Sequence, residues 1–242
     1  MRYAVSGLLL VSMSLFAQDA IPVGTILAVR LNSSIDSQKS KPGQVITARI
    51  MQDVPLPEGR LRAGTQVIGH IVTTRPAPSG ASISLQFDAV KISGRSIPVR
   101  TNLRALASMM EVQDAQVPST GTDRGTTFAW MTTNQVGGEV VYGEGGPVTN
   151  GSRVVGEAAP GGVLVQLNAK SGTNCRGSID GNDRPQALWI FASDACGTYG
   201  FSDLEIAHAG RRQPIGQITL TSRQGRVHVS AGSGLLLRVN AP

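Results

Sequence analysis

Hydrophobic and polar residues alternate along much of this chain, and the alternation predicts strands. Period-two patterns cover residues 26–31, 45–50, 66–73 and 82–90. In the last of these, Ile83, Leu85, Phe87 and Ala89 fall on one face and Ser84, Gln86 and Asp88 on the other. A segment of this kind buries one side in a core and turns the other to water. Pro42-Gly43 supplies a turn before the second pattern, and Ser93-Gly94 one before a short run at 97–100. The alternation resumes beyond residue 137. Asn150-Gly151 between Val148 and Val154 predicts a hairpin, since both residues tolerate positive φ. Val163, Val165 and Leu167 alternate, and 187–192 is a continuous apolar run around Trp189, suited to a buried strand. Ile218 and Leu220, then Val227 and Val229, flank Arg223-Gln224-Gly225 as a second hairpin, and Leu235, Leu237 and Val239 make a last strand.

The stretch between these regions reads differently. Leu103, Leu106, Met109 and Met110 lie at helical spacing and predict a short helix over 103–112. Pro118-Ser119-Thr120-Gly121-Thr122 reads as a linker, and 126–133 fits a helix or a strand equally well. The expected fold is mainly β. A β-barrel or sandwich-like domain covers 21–100, a linker with a short helix covers 101–136, and a second β-rich domain covers 137–242. Gly24-Thr25 and Gly64-Thr65 each precede a strand, but two instances make no repeat array.

The N-terminus adds a compartment to this picture. Met1-Arg2-Tyr3, an apolar run over 4–16 and Ala17-Gln18-Asp19 predict a secretory signal over residues 1–17. No other segment is long and apolar enough to predict a membrane helix. Export makes the periplasm, the outer membrane or the medium the expected location. Cys175 and Cys196 are the only cysteines and are expected to pair there. Such a link stabilises by roughly 3 kcal/mol. Metal binding is the rival use, and neither cysteine has a second Cys or a His at ligand spacing.

Residues 23–100 carry a pattern of Gly, Thr and aliphatic positions. Gly24-Thr25 precedes a strand, followed by Leu31-Asn32-Ser33-Ser34-Ile35-Asp36-Ser37, Gly43-Gln44-Val45 and Ala48-Arg49-Ile50 with Asp53-Val54. Then come Ala63-Gly64-Thr65-Gln66-Val67-Ile68-Gly69, Phe87-Asp88 and Gly94-Arg95-Ser96-Ile97-Pro98. This stretch resembles the C-terminal β-barrel domain of the TrbI-like scaffold of conjugation and type IV secretion channels. The resemblance implies a β-barrel and an envelope location. Secretion-channel function does not carry over. That scaffold has an inner-membrane helix and a Pro-rich stalk where this chain has a signal, and the only counterpart of its pore-forming helix, 103–112, is too short to cross a bilayer.

Charge and chemistry narrow the function classes. Among 242 residues, Lys and Arg exceed Asp and Glu by 22 to 16, a net charge of +6 with no polybasic run. A mildly basic soluble surface is the plain reading, and the Arg excess suits anionic partners. No basic stripe interleaved with aromatics points to nucleic acid. His70, His208 and His228 occur in no HxH or HExxH arrangement, and no GxSxG is present. Asp180, Asn182 and Asp183 offer oxygen ligands, yet Arg184 stands where a Ca²⁺ loop needs its third, and a self-capped turn is preferred. The glycines around 136–138 and 143–146 lack a phosphate loop's Lys and Ser/Thr and read as turns. Trp130, Tyr142, Tyr199 and Arg184 are the candidate ligand-contacting residues, with Trp189 better placed in the core. No catalytic set, metal site or cofactor is expected. The expected role is a non-enzymatic exported envelope module, structural or assembling with itself or other envelope proteins. The alternatives are a binding module for an anionic polymer (peptidoglycan or lipopolysaccharide) and a hydrolase with a dispersed site.

Overall fold

The structure is a computed structural model that describes residues 20–57, 59–115, 130–143, 148–150, 153–156, 158–159, 162–163, 172–173, 175, 178–181, 190–192 and 194–241. In chain order the elements are β1 (Ile26–Leu31), β2 (Ile35–Asp36), β3 (Val45–Ile50), β4 (Val54–Leu56), β5 (Gly59–Leu61), β6 (Gln66–Arg75), β7 (Ala81–Ile92), β8 (Arg95–Pro98), β9 (Arg100–Ala107) and α1 (Met109–Asp114). They continue as β10 (Trp130–Gln135), β11 (Gly138–Gly143), β12 (Val148–Asn150), β13 (Arg153–Gly156), β14 (Ala158–Ala159) and β15 (Gly162–Val163). The last five are β16 (Gly197–Tyr199), β17 (Leu204–Ala207), β18 (Ile218–Ser222), β19 (His228–Val229) and β20 (Gly234–Asn240). The protein is mainly β, as its alternation requires. Among the described residues no helix is long and apolar enough to cross a membrane.

One large sheet organises the molecule, in the order β16-β9-β20-β1-β3-β6-β7-β18-β17, with β8 paired to β7. Every neighbouring pair is antiparallel except β16 with β9. The two ends of the sheet meet where Thr198 Oγ1 on β16 donates to the Leu204 carbonyl of β17 at 3.1 Å. The sheet is thus a nearly closed barrel. Residues before 100 and after 196 share its wall and its core, and β20 sits centrally between β1 and β9. Alternation fills the interior: Leu31, Ala48, Val67 and Val90 lie side by side across four strands and are all buried. Full burial of each of the larger side chains contributes about 1.5–3 kcal/mol.

Three bulges in the large sheet re-phase the pattern; at one, Ile71 faces Leu85 and Thr73 faces Ser84, leaving Val72 as the extra residue of β6. Between β6 and β7 the partner of Ile68 is Ala89 and that of Gly69 is Phe87, so Asp88 is the extra residue. The face expected to continue from Ile83, Leu85 and Phe87 to Ala89 switches there, and Val90 takes the core position instead. In β9, Leu103 faces Leu237 and Ala105 faces Leu236, leaving Arg104 as the extra residue. This corrects the helix expected over 103–112. Both Leu103 and Leu106 are buried because the bulge inserts one residue between inward positions, which imitates helical spacing in a strand. The helix begins only at Met109, where Ser108 Oγ accepts from the Glu111 N–H at 3.3 Å as its cap.

The hairpin expected across Arg223–Gly225 is a second correction. The chain does turn there, but β19 pairs with β2. Both edges of β18 are taken by β7 and β17, so no hydrogen-bonding edge remains for β19. By contrast β12 and β13 pair antiparallel as the expected hairpin, with Asn150 opposite Arg153; the connecting residues 151–152 lie outside the described residues. The undecided stretch at 126–133 yields strand from Trp130, paired with β11. Residues 187–189 of the apolar run lie outside the described residues, while Phe191 is fully buried. A second apolar cluster covers the outer side of β1, β9 and β20. There Ile26, Ala28, Ala105 and Leu236 pack under Val112 of α1, Val136 and Phe191.

Candidate functional site

The interior of the barrel is apolar, so polar chemistry is arranged on its outer wall. The best-defined polar feature follows from register. Arg30 of β1 lies opposite Arg49 of β3, Arg49 opposite Gln66 of β6, Gln66 opposite Lys91 of β7, and Lys91 opposite Ser96 of β8. Directly opposite residues share a face, so these five form one row across five strands. Arg30, Arg49, Lys91 and Ser96 are exposed, and no register position in the row is acidic. Arg49 Nη1 donates at 3.4 Å to the Gly64 carbonyl. At neighbouring-strand spacing of about 4.8 Å the row follows roughly 19 Å of the curved wall. On the next row, Asn32 Nδ2 donates to Thr47 Oγ1 at 2.8 Å, followed by Ile68, Ala89 and Pro98.

A second cluster joins β2 to β19. Asp36 is buried, its Oδ1 accepts from the Gln38 N–H at 2.9 Å, and its Oδ2 accepts from Arg226 Nε at 3.1 Å and also from Arg226 Nη2. His228 Nδ1 lies 3.3 Å from the same oxygen, and His228 Nε2 lies 3.3 Å from Ser230 Oγ. The Arg226 hydrogen bond holds the Asp36 carboxyl down at about 2, with burial opposing it and the Gln38 N–H assisting. The order Ser–His–Asp is that of a nucleophile, base and orienting carboxylate. Here Arg226 claims the carboxylate oxygen that would orient the histidine, so the cluster first of all ties two strands together. His70 makes a separate contact, its Nδ1 being 2.7 Å from Asp88 Oδ2 at the β7 bulge. His208 adopts a positive φ of 61° beyond β17.

The region around the disulfide is built for anchoring. Cys175 and Cys196 are bonded, with Cα atoms 5.5 Å apart, and Cys196 is buried in the main core. Asp180 is hydrogen-bonded to the arginines that follow β17. Its Oδ2 accepts from the Arg212 N–H at 3.0 Å and its Oδ1 from Arg211 Nη1 at 3.3 Å. The Arg212 N–H bond chiefly holds the pKa of this carboxyl below its ordinary value. Arg211 Nη1 also donates to the Ser178 carbonyl at 2.7 Å, and Arg238 of β20 donates to the Asp180 carbonyl. Arg104 and Arg238 are 3% and 7% exposed on the outer wall beneath these loops. Burial brings the Arg104 pKa down to about 10, with Arg238 adding to the effect and Asp194 opposing it, so it stays charged at neutral pH. Among the described residues no group of three or more His, Cys, Asp or Glu side chains is placed to hold a metal ion.

Of the residues singled out by sequence, Arg184, Asn182, Asp183 and Trp189 lie outside the described residues. Trp130 and Tyr142 fall on the paired strands β10 and β11, at adjacent register positions. Tyr199 stands on β16. Its hydroxyl donates to the Cys196 carbonyl at 3.1 Å and accepts from the Cys196 N–H at 3.0 Å, and burial raises its pKa. That hydroxyl also crowds Gly137 at the β10–β11 turn, where any side chain would collide with the ring. Sequence reading missed Arg30, Arg49 and Lys91. Their outward phase was visible in the alternation, but their alignment needed the register. No family model and no curated protein matches this chain.

Proposed function

We propose that this protein is a non-enzymatic, exported module of the cell envelope that holds an anionic envelope polymer on the outer wall of its barrel. The observation carrying the reading is the exposed row of Arg30, Arg49 and Lys91 on a barrel whose interior is packed with apolar side chains. A filled barrel encloses no ligand chamber among its buried residues, so binding chemistry belongs to the wall. Opposed like charges cost folding stability, roughly 0.2–1 kcal/mol for a directly facing pair. Their presence on a rigid sheet fits recruitment of a counter-charge. The signal-like N-terminus, the disulfide and the resemblance of residues 23–100 to the TrbI-like β-barrel support a periplasmic or outer-membrane location. Self-association or docking with other envelope proteins is the structural role such a module would serve.

Retention of the purified protein on isolated anionic cell-wall material tests the reading. Binding is expected at low salt, with release as ionic strength rises. No retention at low salt, or recovery of the protein solely from the culture medium, would count against it. Hydrolysis is the second reading, favoured by the Ser230–His228–Asp36 contacts alone. A fluorophosphonate probe is expected to leave Ser230 unlabelled. Stoichiometric labelling, lost in Ser230→Ala, would replace the non-enzymatic reading with a hydrolytic one.

A further inference from the structure

The geometry points to a bounded track for an extended anionic glycan, lying across the strands along Arg30, Arg49, Gln66 and Lys91. This deepens the proposed function and rests on it. The row is continuous and follows the curve of the barrel wall, because each member is the register partner of the next. Arg30 and Arg49 stand one strand apart, about 4.8 Å, which is the scale of one monosaccharide unit. Two guanidinium forks at that spacing suit carboxylates on successive sugars, which each fork can grip through paired N–H donors. Gln66 follows, offering both a donor and acceptors to neutral hydroxyls, and Lys91 then supplies a compact cation about 10 Å beyond Arg49.

The track also has an end. On the far side of Arg30 the register partner is Gly234, with no side chain. A Cβ added at Gly234 would come within 2.7 Å of Val112 Cγ2 and 3.1 Å of Phe191 Cζ, so α1 and the 190–192 segment rest directly on the wall there. At the other side the row finishes at Ser96 of the short strand β8. A linear glycan therefore meets a stop beside Arg30 and runs out of wall beyond β8. The partly exposed Ile68, with Ala89 and Pro98, lines the next row and offers an apolar flank to sugar rings.

A bounded track and a diffuse basic surface respond differently to ligand length. The full chain is titrated with oligogalacturonides of two to eight units at several salt concentrations. Affinity is expected to climb until about four units fill the roughly 19 Å span, then to level off. Arg30→Gln, Arg49→Gln and Lys91→Gln are each expected to weaken the four-unit ligand roughly three- to tenfold, and to lower the salt slope by about one. Arg75→Gln, on the other end of β6, should leave it unchanged. Melting temperature should hold or rise in Arg49→Gln, because a like-charge pair is removed, and this separates lost binding from lost folding. Affinity growing steadily with every added unit, or Arg75→Gln as damaging as Lys91→Gln, would overturn the track while leaving polyanion binding intact. Binding to anionic phospholipid vesicles with none to the oligogalacturonides would overturn the glycan. No binding to either at low salt would overturn the proposed function along with the track.

Discussion

Replacing Asp36 by Asn isolates the electrostatic tie between β2 and β19. In the folded chain the carboxyl sits at about 2 against an ordinary 3.8. That difference is worth roughly 2.5 kcal/mol at about 1.36 kcal/mol per pKa step. The Arg226 and His228 side chains are 43% and 44% exposed, so solvent screens the pair and about 1–2 kcal/mol is the expected contribution. The folded-state value is depressed, so this stability is fully present above the unfolded value near 3.8 and is lost as pH falls toward 2. Urea unfolding followed by circular dichroism at pH 7, 5, 3 and 2 measures it. Asp36→Asn should be less stable than the native chain by about 1–2 kcal/mol at pH 7 and 5, and the gap should close through pH 3 to 2. A gap below about 0.3 kcal/mol at pH 7, or one that stays constant down to pH 2, would refute the assignment of the shift to this tie.

Other perturbations follow from named contacts. Cys175→Ser with Cys196→Ser opens a loop with a sequence separation of 21 and should cost about 3 kcal/mol, lowering the melting temperature by roughly 6–12 °C relative to the oxidised chain. Scanning calorimetry with and without a reductant checks it. Gly69→Ala should destabilise by at least about 2 kcal/mol in urea titration, because the added carbon would sit 2.9 Å from Phe87 Cα and nearer still to the Gln86 carbonyl, both backbone. Gly43→Ala, at a positive φ of 81° with open space around it, should cost less, about 1 kcal/mol. Phe87→Ala should cost about 3–5 kcal/mol by the same assay, since Phe87 is among the largest fully buried side chains of the barrel.

How much was legible depended on how local the signal was. The ranges of β1 and β3 match the alternation to the residue, and β6, β7 and β20 extend it by only a few positions. The paired cysteines and the hairpin of β12 with β13 were equally readable, because a short connection or a lone pair of thiols depends on few neighbours. The misreadings share a cause. Leu103 and Leu106 looked helical because a bulge at Arg104 and a helical turn both put apolar residues three apart. Val227 and Val229 looked like the second arm of a hairpin because nothing local reveals that both edges of β18 are occupied. Arg184, Trp130, Tyr142 and Tyr199 stand out by residue type, which is local, whereas the row on the wall is made by alignment of separate strands.

The chain's own pattern of polar and apolar residues determined that this protein is built of strands, which face of each strand turns inward, and where glycine lets it turn. Each of those follows from contrast between the two sides of a short segment, a property carried wherever that segment goes. Which strands meet, and at what register, was decided only by the nearly closed barrel. Backbone hydrogen bonds between edges are generic, so partners are selected when all inward faces are buried together. That collective choice seats β20 between β1 and β9, sends β19 to β2, and lines up Arg30, Arg49 and Lys91 from three separate strands.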